Sequence, residues 1–178
     1  MNRILGAITT LGQHFDEIAK GGEIYRPLNC PHCQAGGLWR HGFYHRKADH
    51  CAACDAPRKL VPVARFLCKS CCVTCSRLPA CVAPRRWYGW GIQQIVLLLM
   101  LAGIGVSQCS RSTHRARSTV RRWRDWLHER ADGFALALRS RFAELGRLSD
   151  FAAFWRHVMN ELSLAQAMAW LDKGLIVP

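Results

Sequence analysis

The chain has 178 residues, with 25 Lys plus Arg against 12 Asp plus Glu, giving a formal charge of +13. That length allows one domain or two small ones and excludes a large multidomain enzyme. Half of the residues are hydrophobic and 21% are charged, too apolar for a disordered tail, and the charge excludes an acidic scaffold.

The first 25 residues or so carry apolar side chains at helical spacing, at Ile4, Ile8, Leu11, Phe15 and Ile18, and Gly21-Gly22 ends the pattern. Thr9, Thr10, Gln13, His14, Asp16 and Glu17 interrupt this segment, so it has no apolar run of signal-peptide length. The ten cysteines are therefore expected as reduced thiols in a cytosolic protein. In that setting paired C-x-x-C spacing points to metal rather than to disulfides.

Residues 25–84 hold nine of the ten cysteines, with frequent Gly and Pro and short apolar runs. Cys30-Pro31-His32-Cys33 and Cys68-Lys69-Ser70-Cys71 are two C-x-x-C pairs separated by 34 residues. Each pair suits a tight turn that aims two thiolates at one ion. Together they supply the four ligands of a tetrahedral zinc in a zinc ribbon. Leu38 to Tyr44 and Val61 to Leu67 are rich in β-formers and predict the hairpin strands.

Cys51, Cys54, Cys72 and Cys75 form a candidate second metal set, with His45 or His50 as alternative ligands. It requires the adjacent Cys71 and Cys72 to diverge, and the plain alternative is a loop with tolerated cysteines. Cys81 and Cys109 read as small core residues. Neither H-E-x-x-H nor H-x-E occurs, so the metal is expected to be structural rather than catalytic. Trp39, Arg40, His41, Tyr44, His45 and Arg46 make a basic, aromatic ribbon face suited to nucleic acid.

Trp87 to Ser110 is a stretch of 24 residues without a charge. Its continuous apolar part, Ile95 to Val106, falls short of the roughly 20 residues of a spanning helix and predicts a buried core helix instead. Trp90 to Leu101, Val106 to His114 and Ser118 to about Glu129 have the lengths and breaks of a three-helix DNA reader whose third helix enters the major groove. On that third helix Val120, Trp123 and Leu127 recur on a core-facing row, while Arg117, Arg121, Arg124 and His128 follow a different face. Ser118 is the expected N-cap, and Thr119 and Arg122 lie near the helix start, where DNA contacts fall.

Arg85-Arg86 joins ribbon to helices and can track a phosphate backbone, whereas Trp87 and Tyr88 serve equally well as the start of the helical core. The expected DNA-contacting set is thus Arg85, Arg86, Arg117, Ser118, Thr119, Arg121, Arg122 and Arg124. Seven Arg stand against two acids between Arg111 and Arg130. The plain alternative is a solvated basic face with pairs such as Arg121 with Asp125. Phe134 to Trp170 reads as further helix around a break at Gly146 to Asp150, followed by a short extended tail. Packing on the helical unit is its expected role, with dimerisation or a catalytic partner as alternatives.

These readings give an α+β fold, mainly α: an N-terminal helix over 1–24, a zinc-ribbon-like domain over 25–84, a helix-turn-helix domain over 85–130 and a helical segment over 131–178.

Several stretches together, Cys30 to Cys33, Gly37 to Gly42, Arg65 to Cys68, Thr74 to Pro79, Ala83 to Tyr88 and Thr119 to Trp123, resemble bacterial insertion-sequence proteins with an N-terminal zinc ribbon followed by a helix-turn-helix. The layout is similar to the small DNA-binding subunit of two-frame transposons, over about residues 25 to 130. The resemblance implies binding of double-stranded DNA at terminal repeats or promoters. It matches Cys30, Cys33, Cys68 and Cys71 to the ribbon ligands and the segment from Ser118 to the recognition helix. Cys51 and Cys54 depart from a simple four-cysteine ribbon.

A cut-and-paste transposase needs a carboxylate triad on a sheet of roughly 100 residues or more, for which this chain has no room. The expectation is a non-enzymatic, zinc-dependent, sequence-specific DNA-binding protein of a mobile element. It would be cytoplasmic and nucleoid-associated, act as regulator or accessory subunit of a catalytic transposase, and leave a homodimer open. The alternatives are a protein- or RNA-interaction module built on a zinc ribbon, and a truncated transposase.

Overall fold

A computed structural model describes residues 3–47, 60–84 and 88–172. The chain divides into two units, Met1–Gly89 with Asp172–Pro178, and Trp90–Leu171. The fold is α+β and mainly helical; among the described residues the strands lie in the first unit and five of the six α-helices in the second.

The first unit opens with a strand, β1 (Ile4–Leu5), and not with the expected helix. β1 pairs in parallel with β5 (Leu78–Pro79). Helix α1 starts only at Leu11 and runs to Ala19. The delay has a local cause: Thr10 accepts the Gln13 N–H while the Gln13 side chain accepts the Thr10 N–H, a capping box that fixes the helix start. Its one buried side chain is His14, whereas Leu11, expected on the core face, is 36% exposed.

The buried His14 makes two connections between distant segments. Its Nε2 lies 2.8 Å from the Pro62 carbonyl oxygen and its Nδ1 lies 2.7 Å from the Tyr25 hydroxyl. A carbonyl only accepts, so Nε2 carries the proton and Nδ1 accepts from the Tyr25 O–H. Burial pushes the His14 pKa down and keeps the ring neutral. A short 3-10 turn, Glu23–Tyr25, places the fully buried Tyr25 there.

The main sheet is antiparallel, in the order β2 (Trp39–Lys47), β3 (Leu60–Leu67), β4 (Thr74–Cys75). The two long strands fall where β-formers predict them. Between Arg40 and Phe43 the β2–β3 register slips, because Gly42 sits at φ +72 and β2 carries one extra residue. A residue other than glycine is strained at that angle. Phe66 and Ala64 face a core shared with Ile8, Tyr25, Leu38, Cys30, Cys68 and Cys75.

The second unit is all helix: α2 (Trp90–Leu101), α3 (Val106–Thr113), α4 (Arg117–Arg139), α5 (Phe151–Glu161) and α6 (Ser163–Leu171). Gly103, at φ +86, turns the chain between α2 and α3, and His114, at φ 51, ends α3. Val120, Trp123 and Leu127 are buried on α4 as their spacing predicts, joined by Phe134 and Leu138.

The third helix differs from expectation in length. It continues for 23 residues through Arg130 and Gly133, so the boundary drawn between 130 and 131 lies inside one helix. Burying Phe134 and Leu138 on the same face outweighs the roughly 1 kcal/mol that an internal glycine costs. α5 and α6 pack on α2, and α6 on α4, with Trp155 fully buried against Phe134 and Phe154. α2 is less buried than its apolar sequence suggests: Val96 and Leu97 are inside, but Ile95 is 51% exposed. No helix among the described residues is long and apolar enough to cross a membrane.

Candidate metal centre and basic helical face

Cys30, Cys33, Cys68 and Cys71 meet at one end of the first unit, with all four sulfurs within 4.8 Å of one another. The Cys30 and Cys71 sulfurs are 3.6 Å apart, as are those of Cys33 and Cys68. A disulfide requires about 2.05 Å, so these are four separate thiols. A tetrahedral thiolate centre with metal–sulfur bonds of about 2.3 Å places its sulfurs about 3.8 Å apart. The cluster therefore can hold one metal ion with little adjustment.

The two C-x-x-C turns share one backbone plan. In the first, the Cys30 N–H donates to the Ala35 carbonyl and the Gln34 N–H to the Cys30 carbonyl, each at 2.8 Å. In the second, the Cys68 N–H donates to the Val73 carbonyl at 3.0 Å and the Cys72 N–H to the Cys68 carbonyl at 2.9 Å. Gln34 and Cys72, at equivalent places, both adopt a left-handed backbone, with φ 62 and 56. This answers how adjacent Cys71 and Cys72 diverge: Cys71 points into the cluster, while Cys72 forms the left-handed corner and is exposed.

The same turns supply the electrostatics. The Cys68 pKa is drawn down to about 6, first by the Cys71 N–H and further by the neighbouring thiols and the Ser70 N–H. Cys71 keeps its proton, at about 12: the Val73 N–H favours its thiolate but is outweighed by desolvation and by the surrounding thiols. A cation held by the four sulfurs would favour their thiolate forms.

The candidate second metal set is not assembled among the described residues. Cys75 is buried in the apolar core beside Phe66, and burial pushes its thiol pKa up. Cys72 is the turn corner just described, and Cys51, Cys54 and His50 lie outside the described residues. The described Cys, His and acidic side chains form no metal cluster besides the four thiols. Cys109 is a buried core thiol, as expected, and Cys81 is partly buried.

In the second unit α2, α3 and α4 pack on one another. α4 begins at Arg117 with Ala116 as its N-cap, so Ser118 lies within the first turn and does not cap it. No side chain caps this end, which carries the positive end of the helix dipole, and within the first turn the Thr119 N–H donates to the Ala116 carbonyl at 2.9 Å.

Arg117, Ser118, Arg121 and Arg122 are exposed, as is Arg111 on α3. Thr119 departs from the expected contact set: it is buried, at 9% exposure. Arg124 departs from it too. Its Nε and Nη2 donate to Asp125 at 2.9 and 2.7 Å, and it lines a small crevice with Leu97, Leu127 and Phe151. The acid is thus paired with Arg124, not with Arg121. His128, at the end of the expected cationic row, stacks on Phe151 at 4.4 Å.

The exposed arginines at the start of the helix are therefore Arg117, Arg121 and Arg122. There Ser118, Arg121 and Arg122 border a shallow groove of about 460 Å³ that Asp125 and Glu129 close at the other end. Arg85 and Arg86 lie outside the described residues.

No acidic residue occurs between Asp55 and Asp125, a stretch that the sequence reading did not single out. Comparison with protein-family models, curated proteins and solved structures finds no match for this chain.

Proposed function

We propose that this is a zinc-dependent, sequence-specific DNA-binding protein of a mobile element, acting as regulator or accessory subunit of a transposase and having no catalytic site of its own. The observation that carries the DNA reading is the start of α4. An uncapped helix N-terminus, with Arg117, Arg121 and Arg122 exposed around it, follows a short helix that also carries Arg111. Amides and guanidinium groups there suit phosphates and guanine edges of a duplex whose major groove admits the helix.

Zinc is the metal that four thiolates at tetrahedral spacing favour, and it would supply folding energy rather than reactivity. The mobile-element assignment rests on the sequence resemblance alone.

The test is fluorescence anisotropy of labelled duplex with the zinc-loaded full chain, comparing DNA that flanks its own reading frame with a scrambled duplex over a salt series. A steep salt slope with a preference of about 10³ or more for the flanking DNA is the expected result. Equal affinity for both duplexes contradicts sequence-specific reading.

A further inference from the structure

The sheet of the first unit has a face that the proposed duplex reading by α4 does not use. Residues directly opposite in an antiparallel ladder share a face. Pairing of Trp39 with Leu67, Tyr44 with Val63, Arg46 with Val61 and Leu67 with Thr74 therefore puts Trp39, Tyr44, Arg46, Arg65 and Thr74 on one side. The bulge at Gly42 makes this possible: without the extra residue, Trp39 and Tyr44 would point to opposite sides. Arg40 pairs with Phe66 and His45 with Pro62, on the other side. The basic, aromatic stretch of β2 is thus divided between two faces.

The Trp39 side combines exposed aromatic planes with cations, while Val61 and Val63 on the same side are fully buried. The Lys69 ammonium sits 3.4 Å from the Trp39 ring centroid, yet the indole remains 57% exposed. Tyr44 is 38% exposed on the same face. Arg65 lies between them in register on β3, its Nη2 held 3.3 Å from the Thr74 hydroxyl. Beside Tyr44 and Thr74, among the described residues, a cleft of about 570 Å³ is also lined by Arg3, His32 and Arg46. Arg46 is anchored by a 2.9 Å bond to the Ala83 carbonyl. The described residues 26–47 and 60–84 contain no acidic residue, against seven Lys and Arg.

An aliphatic protein ligand would need neither the aromatic planes nor the cations. Stacked bases with phosphates between them need both, and such platforms bind unpaired strands with little dependence on sequence.

We infer that this face binds a single-stranded DNA segment, with one unpaired base stacked on Trp39 and the adjoining phosphates on Lys69 and Arg65. The choice of DNA over RNA rests on the proposed reading of α4; the stacking itself does not.

The test is anisotropy of a labelled oligothymidylate of about twelve nucleotides, measured with the zinc-loaded full chain. A hairpin duplex and an oligouridylate of equal length are run beside it. Trp39→Ala is expected to weaken oligothymidylate binding about ten-fold or more. Trp39→Phe keeps a plane and should lose less, and Lys69→Gln should weaken binding and flatten its salt dependence. The hairpin affinity should be unchanged in all three, and Arg121→Ala with Arg122→Ala should leave oligothymidylate binding intact.

Metal content and melting temperature establish that each variant is folded. If Trp39→Ala is not, Trp39→Phe and Lys69→Gln decide on the same criteria. Absence of oligothymidylate binding, unchanged binding in the Trp39 and Lys69 variants, or a loss that follows Arg121 and Arg122 instead would overturn the inference. Tighter binding of oligouridylate would overturn the choice of DNA. Failure of the α4 reading alone would appear as lost duplex preference with the Trp39 effect retained.

Discussion

Replacing Arg121 and Arg122 together by alanine is expected to lower duplex affinity by about two orders of magnitude. Both side chains are exposed on the first two turns of α4, and neither contributes to the buried row of Val120, Trp123 and Leu127. A guanidinium on a base edge is worth about 1–3 kcal/mol, and two such losses reach that range. If one of them instead contacts phosphate, the salt slope should fall by about one per contact and all sequences should weaken alike. Arg147→Ala with Arg156→Ala removes the same two charges from exposed positions on other elements and should change affinity by less than a few fold. Equal losses in both experiments would mean that net charge, not the α4 face, governs binding.

Replacing Cys68 by serine, or removing the metal with a chelator, is expected to unfold the first unit. Cys30 and Cys68 are both fully buried and belong to the same core as Tyr25, Leu38 and Phe66. Losing the centre therefore also loosens the apolar packing around it. Binding of a structural zinc is worth about 10–16 kcal/mol in small peptides, as much as the whole stability of an ordinary domain.

Most of the helix, α2 to α6, lies in the other unit with its own buried Trp123, Trp155 and Phe134. Circular dichroism should thus keep most of its helical signal while protease cuts appear between Cys30 and Cys75. Cys72→Ser and Cys75→Ser should retain the metal. Metal loss in either would implicate them as ligands, against the geometry.

The four thiols were legible in the sequence because each pair is a local device: two residues between cysteines suffice to fix a turn and aim its sulfurs. Val120, Trp123 and Leu127 were legible for a similar reason, since helical period alone brings them to one face. The role of His14 was not. Its partners Tyr25 and Pro62 lie 11 and 48 positions away, and nothing local distinguishes a buried neutral imidazole from a surface one. The pairing of Ile4–Leu5 with Leu78–Pro79 was hidden because two-residue strands carry almost no pattern.

At the candidate DNA face, the Arg row from Arg117 to His128 followed helical geometry correctly. Periodicity alone, however, could not show that Phe151 would take His128 or that Asp125 would take Arg124. The bulge at Gly42 had a similar effect on β2, where one extra residue reassigned which aromatic and basic side chains share a face.

The four-thiol centre is tested by the metal content of the full chain, purified without added metal and assayed together with its reactive thiols. One zinc per chain, lost on Cys68→Ser and kept on Cys72→Ser and Cys75→Ser, is the expected result. No metal with all four cluster thiols freely reactive, or two metals per chain with Cys72 and Cys75 required, would contradict it.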